Sequence, residues 1–176
     1  MTEVQAALIG AAATAFVMVL SNMSNRREMI RMTEDEVKEF IESQKSLQVA
    51  TINKDGTPHL STLWFDLVGE QIVFETFTKS QKIKNLQRDR RISCLLEDGL
   101  VYEKLRGVQI NGVAEIVVSP EEVHQLAKGV MARNNPEIPS KALDEVAKAM
   151  SIKRTAVIVK AEKIVSWNHQ KLEGAY

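Results

Sequence analysis

Three short turn signals divide the middle of the chain and constrain its fold more than any other feature. Lys54-Asp55-Gly56-Thr57-Pro58, Val68-Gly69-Glu70 and Glu97-Asp98-Gly99 each separate strand-like runs. Connections this short join antiparallel strands, because a parallel crossover needs a dozen residues or more. The runs are Leu47–Asn53, His59–Leu67, Gln71–Phe77, Ile92–Glu97 and Leu100–Val118, and Thr155–Val165 adds a sixth. Consecutive hairpins in a meander are the natural arrangement, with Gly107 and Gly112 bending the long fifth run. Six antiparallel strands interrupted by short helices predict an α+β domain built on a small closed or split β-barrel, since closure removes exposed sheet edges.

Helical signals fall between these runs. Thr33 and Glu36 have the spacing of a capping box, and Val37, Phe40 and Ile41 follow at helical period, predicting a helix over Glu34–Ser43. Ser80–Asp89 reads as a short basic helix. Ser119-Pro120-Glu121-Glu122 starts another that runs to about Arg133, and Ser140–Met150 forms a fourth beyond the loop Asn134–Pro139. At 176 residues the chain suits one domain with an appendage, and 23 basic against 23 acidic side chains leave no net charge to identify a partner. A single cysteine, Cys94, excludes an internal disulfide framework, and no CxxC or HExxH spacing offers a metal site. A reducing, cytoplasmic setting is the default expectation.

The N-terminus departs from this average. Val4–Asn25 carries no charge and Ala6–Leu20 is almost wholly apolar, before Arg26, Arg27 and Arg31. As an apolar helix it barely reaches the length of about 20 residues that spanning requires. If it anchors the chain, those arginines hold the rest on the cytoplasmic side. Alternatively, translation starts at Met29 or Met32, or the segment packs onto the core. Residues 1–28 are therefore set apart as an extension, and 29–176 as the domain. Any membrane contact would be made through residues 4–25 only.

The most informative chemistry lies after the third strand. Residues 79–91 contain six basic side chains and one acidic one in a neutral protein. Hydroxyls at Thr76, Thr78 and Ser80 stand beside Lys79 and Lys82 where a strand enters a helix, a combination that suits a phosphate. The same charges also read as a solvated helix face. Nucleic acid is not expected, because the charge is confined to one segment and no aromatic pair is interleaved with it.

Three motifs in order then carry a resemblance over residues 33–172. Ala50-Thr51-Ile52-Asn53-Lys54-Asp55-Gly56-Thr57-Pro58, continuing to Trp64, resembles the "ATxxxDGxPxxxxxW" opening of the pyridoxamine 5′-phosphate oxidase-like flavin and deazaflavin oxidoreductases. Lys82-Ile83-Lys84-Asn85-Leu86-Gln87-Arg88-Asp89-Arg90-Arg91 is similar to their "KxxNLxxDPR" segment, and Arg106-Gly107-Val108 through Ala114 to their "RxVxxxGxA" strand.

The resemblance implies a split-barrel homodimer that binds FMN or a deazaflavin (coenzyme F-420) at the subunit interface. It places Lys82 and Thr76 at the cofactor phosphate, with Thr78, Lys79, Ser80 and Asn85 in the same segment. Thr51, Ser61 and Trp64 fall on strands lining the ring. Trp167 and Lys171 resemble a C-terminal pair that some relatives lay over the second subunit's cofactor. There are departures: Gln81-Lys82 stands where the oxidases proper have Arg-Lys, Gly107 replaces a glutamine, Asp89-Arg90-Arg91 replaces Asp-Pro-Arg, and the tail lacks the Arg-Leu pair that holds their vitamin B6 substrate.

With hydride carried by such a cofactor, no nucleophile–base constellation is required and no catalytic residue is assigned. His59 and His169 are placed to donate a proton, although isolated histidines are more often structural, and His124 lies outside the motifs. Trp64 and Phe65 alternate on a strand, so one faces the core and the other a cleft or partner. The expected activity is hydride transfer to or from an unsaturated or quinone-like small molecule. The competing class is a non-catalytic split barrel that carries or senses flavin or haem.

Overall fold

The computed structural model describes residues 26–172, so the apolar run at 4–25 lies outside the described residues. Helix α1 (Glu34–Ser43) opens with the expected capping box: the Glu36 N–H donates to Thr33 Oγ1 at 3.2 Å and the Thr33 N–H to Glu36 Oε2 at 2.6 Å. Strands β1 (Ser46–Ile52), β2 (Pro58–Trp64), β3 (Asp66–Val68) and β4 (Gln71–Phe77) follow. Helix α2 (Gln81–Arg88) leads into β5 (Arg91–Asp98) and β6 (Arg106–Val117). Helices α3 (Pro120–Asn134) and α4 (Ser140–Ser151) precede β7 (Arg154–Asn168), and a 3-10 turn, His169–Leu172, ends the described chain. No helix among the described residues is long and apolar enough to cross a membrane.

The seven strands form one antiparallel sheet in the order β2-β1-β5-β6-β7-β4-β3. Its two outermost strands, β2 and β3, are separated in sequence by Phe65 alone, so the sheet must curl until its edges meet. This corrects the expected count of six. The run His59–Leu67 is not one strand, because Phe65 turns its side chain fully into the core while the chain crosses from one edge to the other. The meander is corrected with it. The Lys54–Pro58 turn does join β1 to β2, with Gly56 at φ 87°, but β4 pairs with β3 and β7 rather than with β2.

The end of α3 holds this corner. The Arg133 guanidinium lies 4.8 Å from the centroid of the Phe65 ring, and Asn134 Nδ2 donates to the Phe65 carbonyl at 3.4 Å. Arg133 Nη2 also donates to the carbonyls of Ile41, Glu42 and Gln44 at 3.1, 2.7 and 3.0 Å, where α1 ends and its last carbonyls run out of intrahelical donors, although Ile41 also accepts the Gln44 N–H.

Inside the barrel, Leu47, Val49, Phe74, Leu96, Val108 and Val157 form a fully buried apolar core. Helix α1 caps one end with Phe40 and α2 the other with Ile83 and Leu86, side chains whose burial contributes roughly 1.5–3 kcal/mol each. Gly112 permits the expected bend. A Cβ there would lie 2.0 Å from the Lys160 carbonyl oxygen, and the β6–β7 register shifts between Asn111 and Gly112. Gly107 serves the packing differently: a Cβ would lie 2.2 Å from Trp167 Cζ2, so the indole rests on the bare glycine.

Arg133→Ala is expected to lower stability by about 1–3 kcal/mol, read as a fall in Tm, because it removes hydrogen bonds to three carbonyls at the end of α1 and the cover over Phe65. Arg133→Lys should recover little of it, since an ammonium cannot stack and fork together. Wild-type Tm in both variants would contradict this role.

Candidate functional site

Past the corner, β2 and β4 come near one another but form no ladder. β2 pairs only with β1, while β4 pairs with β7 on one side and, through Gln71–Val73 alone, with β3 on the other. Two strand edges therefore border a slot with unpaired backbone groups. Ladder partners share a face, so the inward set on β2 is His59, Ser61 and Leu63, opposite Thr51, Val49 and Leu47 of β1. On β4 the buried Thr76 continues the inward face of Ile72 and Phe74.

Helix α2 begins at the end of this slot. Its N-cap, Ser80, makes no side-chain cap, and the Ser80 hydroxyl is buried without a hydrogen-bond partner. Lys82 Nζ donates to Thr76 Oγ1 at 3.3 Å and has no carboxylate partner among the described residues. Burial holds the Lys82 amine below the ordinary lysine range. The Thr155 hydroxyl donates to Thr78 Oγ1 at 3.0 Å, which leaves the Thr78 proton for another acceptor. A half-buried cation with no counter-charge, an orphaned hydroxyl and the uncapped first turn of a helix together fit an anionic group such as a phosphate. Lys79, on the exposed rim, adds charge without adding contacts.

Asn85 and Thr51 play another part. Fully buried Asn85 donates to Thr51 Oγ1 at 3.0 Å and to Asn53 Oδ1 at 2.9 Å, and accepts from Gln81 Nε2 at 2.9 Å. Both of its N–H donors are spent seating α2 on β1, so the pair shapes the slot and supports Lys82 one helical turn away.

The remaining predicted residues lie elsewhere. Trp64 is on the outward face of β2, 51% exposed, opposite in sense to Ser61. Trp167 sits at the far end of β7 from Arg154, the residue that pairs with Phe77 near α2. Lys171 is spent within its own chain: Nζ donates to Glu36 Oε2 at 2.5 Å and to the Arg31 carbonyl at 2.8 Å. The Lys171 ammonium and the Thr33 N–H hold the Glu36 carboxyl below its usual range. One chain thus groups Ser61, Thr76, Thr78, Ser80 and Lys82 around the slot, and keeps Trp64, Trp167 and Lys171 away from it.

Other reactive side chains are accounted for. Burial pushes the Cys94 thiol up to about 12, which makes it inert. His169 Nδ1 meets the Tyr102 carbonyl at 3.0 Å, and His124 Nε2 lies 3.3 Å from Asp144. No group of three metal-ligating side chains forms among the described residues. One feature has no sequence signal, and a second adds burial to a histidine the sequence already singles out. Ser93, Gln109 and Asn111 are hydrogen-bonded to one another at 2.7–3.3 Å on the outward sheet face, a pattern visible only once β5 and β6 are in register. His59 Nδ1 is buried without a partner. A cavity of about 290 Å³ borders the Ser93–Asn111 patch. A larger one, about 570 Å³, lies under α1 and contains none of the predicted residues.

The chain resembles proteins of known structure over most of its length. A conserved hypothetical protein from Mycobacterium tuberculosis is 41% identical with a TM-score of 0.78, covering 84% of this chain and 91% of that one. An F420 reductase at 22% identity (TM-score 0.57; 72% and 94% covered) and the haem storage protein HutZ of Vibrio cholerae at 19% (TM-score 0.58; 76% and 94%) share the fold. No curated protein sequence matches. The model of the pyridoxamine 5′-phosphate oxidase family matches residues 33–168, so the strand corner, the slot and the α2 segment all fall within the match, and the chain belongs to that family of flavin and deazaflavin split barrels.

Proposed function

We propose that the protein is a flavin- or deazaflavin-dependent oxidoreductase that moves hydride between its cofactor and an unsaturated or quinone-like small molecule. The observation that carries this is Lys82: a half-buried ammonium with a hydroxyl but no carboxylate beside it, next to the orphaned Ser80 hydroxyl. Such a cation is costly unless an anion joins it. A phosphate-bearing cofactor supplies that anion, and its ring supplies the hydride chemistry. The chain's own work is to bind the phosphate through Lys82, Ser80, Thr76 and Thr78, and to keep water from the arm between β2 and β4.

A second copy of the chain is part of this reading. The outward face of the β2-β1-β5-β6-β7 sheet carries Leu60, Trp64 and Val165 at 69, 51 and 39% exposure around the Ser93–Gln109–Asn111 patch, a composition suited to burial against another protein. Because Trp167 and the slot lie apart in one chain, only a partner's Trp167 would stand near the cofactor ring.

Lys82→Ala is expected to weaken binding of FMN, or of the deazaflavin, about ten- to hundredfold in a fluorescence titration, the value of a hydrogen bond to a charged group. Unchanged affinity would remove the central residue. The pH dependence follows from the direction of the Lys82 shift. Burial lowers its free-state value, and a bound phosphate favours the ammonium and raises it again. Affinity should therefore be full below the free-state value and fall as pH rises through it, earlier than for an exposed lysine at 10.5. Lys82→Arg should carry the plateau to higher pH. Catalysis is separated from carriage by turnover: a reduced cofactor that stays bound and is never reoxidised by any quinone or enone acceptor would favour the carrier.

A further inference from the structure

His59 is the one histidine in the described chain whose ring nitrogen Nδ1 is buried without a partner, whereas His124 and His169 are held by Asp144 and Tyr102. A buried polar atom left unpaired lowers stability, and native chains keep few of them. Its position is informative. His59 faces inward on β2 directly across from Thr51, and Thr51 Oγ1 accepts from Asn85 of α2. Asn85 stands one helical turn after Lys82, on the same side of α2. His59 is therefore the inward residue of β2 closest to α2. Thr76 and Lys82 meet on the β4 side of the slot. Ser61, the next inward residue, lies roughly 7 Å further along the strand, away from α2. Its hydroxyl is also buried and unpartnered.

We infer that His59 is a ligand-binding residue of the slot, donating from Nδ1 to the phosphate of a bound cofactor from the wall opposite Lys82. This rests on the flavin reading above and extends it, because neither the family motifs nor the charge of residues 79–91 points to a histidine on β2. The slot then grips the phosphate from two strands, with Lys82 supplying charge and His59 a directed hydrogen bond. Ser61 is left to meet the hydroxyls of the cofactor's sugar-alcohol arm.

The test compares FMN with riboflavin, which has the same ring and arm without the phosphate. His59→Phe should lose about tenfold or more in FMN affinity and leave riboflavin unchanged, while His59→Asn, whose amide nitrogen stands close to the position of Nδ1, should keep most of the FMN affinity. Should the Phe variant fold poorly, 15N chemical shifts of the His59 ring in the wild-type protein give the same answer: Nδ1 should move on adding FMN and not on adding riboflavin. Equal losses for the two ligands, or a Phe variant that binds FMN like wild type, would overturn the assignment. If Lys82→Ala loses FMN while His59→Phe does not, this inference alone fails. Indifference of both variants, or a wild-type protein that binds neither of these ligands nor the deazaflavin, defeats the flavin reading as well.

Discussion

At Phe65 the chain leaves one edge of the sheet and joins the other, and most of the architecture depends on that crossing. The buried ring fixes where β2 stops, and the Arg133 and Asn134 contacts fix its direction. A sheet whose first and last strands are joined by one residue cannot stay flat. It must wrap round the core, yet the same corner keeps β2 and β4 from pairing beyond it. Closure and opening are thus produced together, and the slot is what remains where the barrel fails to seal.

The polar groups at the slot sort into those spent and those spare. Asn85 and Thr51 are saturated within the protein and seat α2 at the mouth. Lys82, Ser80, Ser61 and His59 are not, and each carries a cost that folding alone does not return. Packing of Ile83 and Leu86 beneath α2 offsets part of that cost, with roughly 1.5–3 kcal/mol for each buried side chain. A site assembled this way is poor at being empty and good at holding an anion.

Much of this was legible in the sequence because local rules govern it. The Thr33–Glu36 capping box, the Gly56 turn and the α2 boundaries follow from short-range chemistry and appear where expected. The strand break at Phe65 did not show, since an apolar residue after Trp64 fits a continuous strand as well as a corner; long-range closure decides between them. The motif groups Ser61 with Trp64, but they lie on opposite faces, and only register reveals it. Resemblance places Lys171 at a cofactor, while its partner Glu36 lies 135 positions away, beyond any spacing rule. The role of Gly107 was hidden for the same reason: what matters there is the indole of Trp167 across the ladder.

The central claim is that the slot holds a flavin-type cofactor by its phosphate. The most direct measurement is to purify the full chain from a host that makes both FMN and the deazaflavin, record its visible spectrum, and identify by mass spectrometry what denaturation releases. The account predicts a released flavin or deazaflavin that carries a phosphate. An empty protein that takes up neither compound in titration, or one that releases haem, would contradict it.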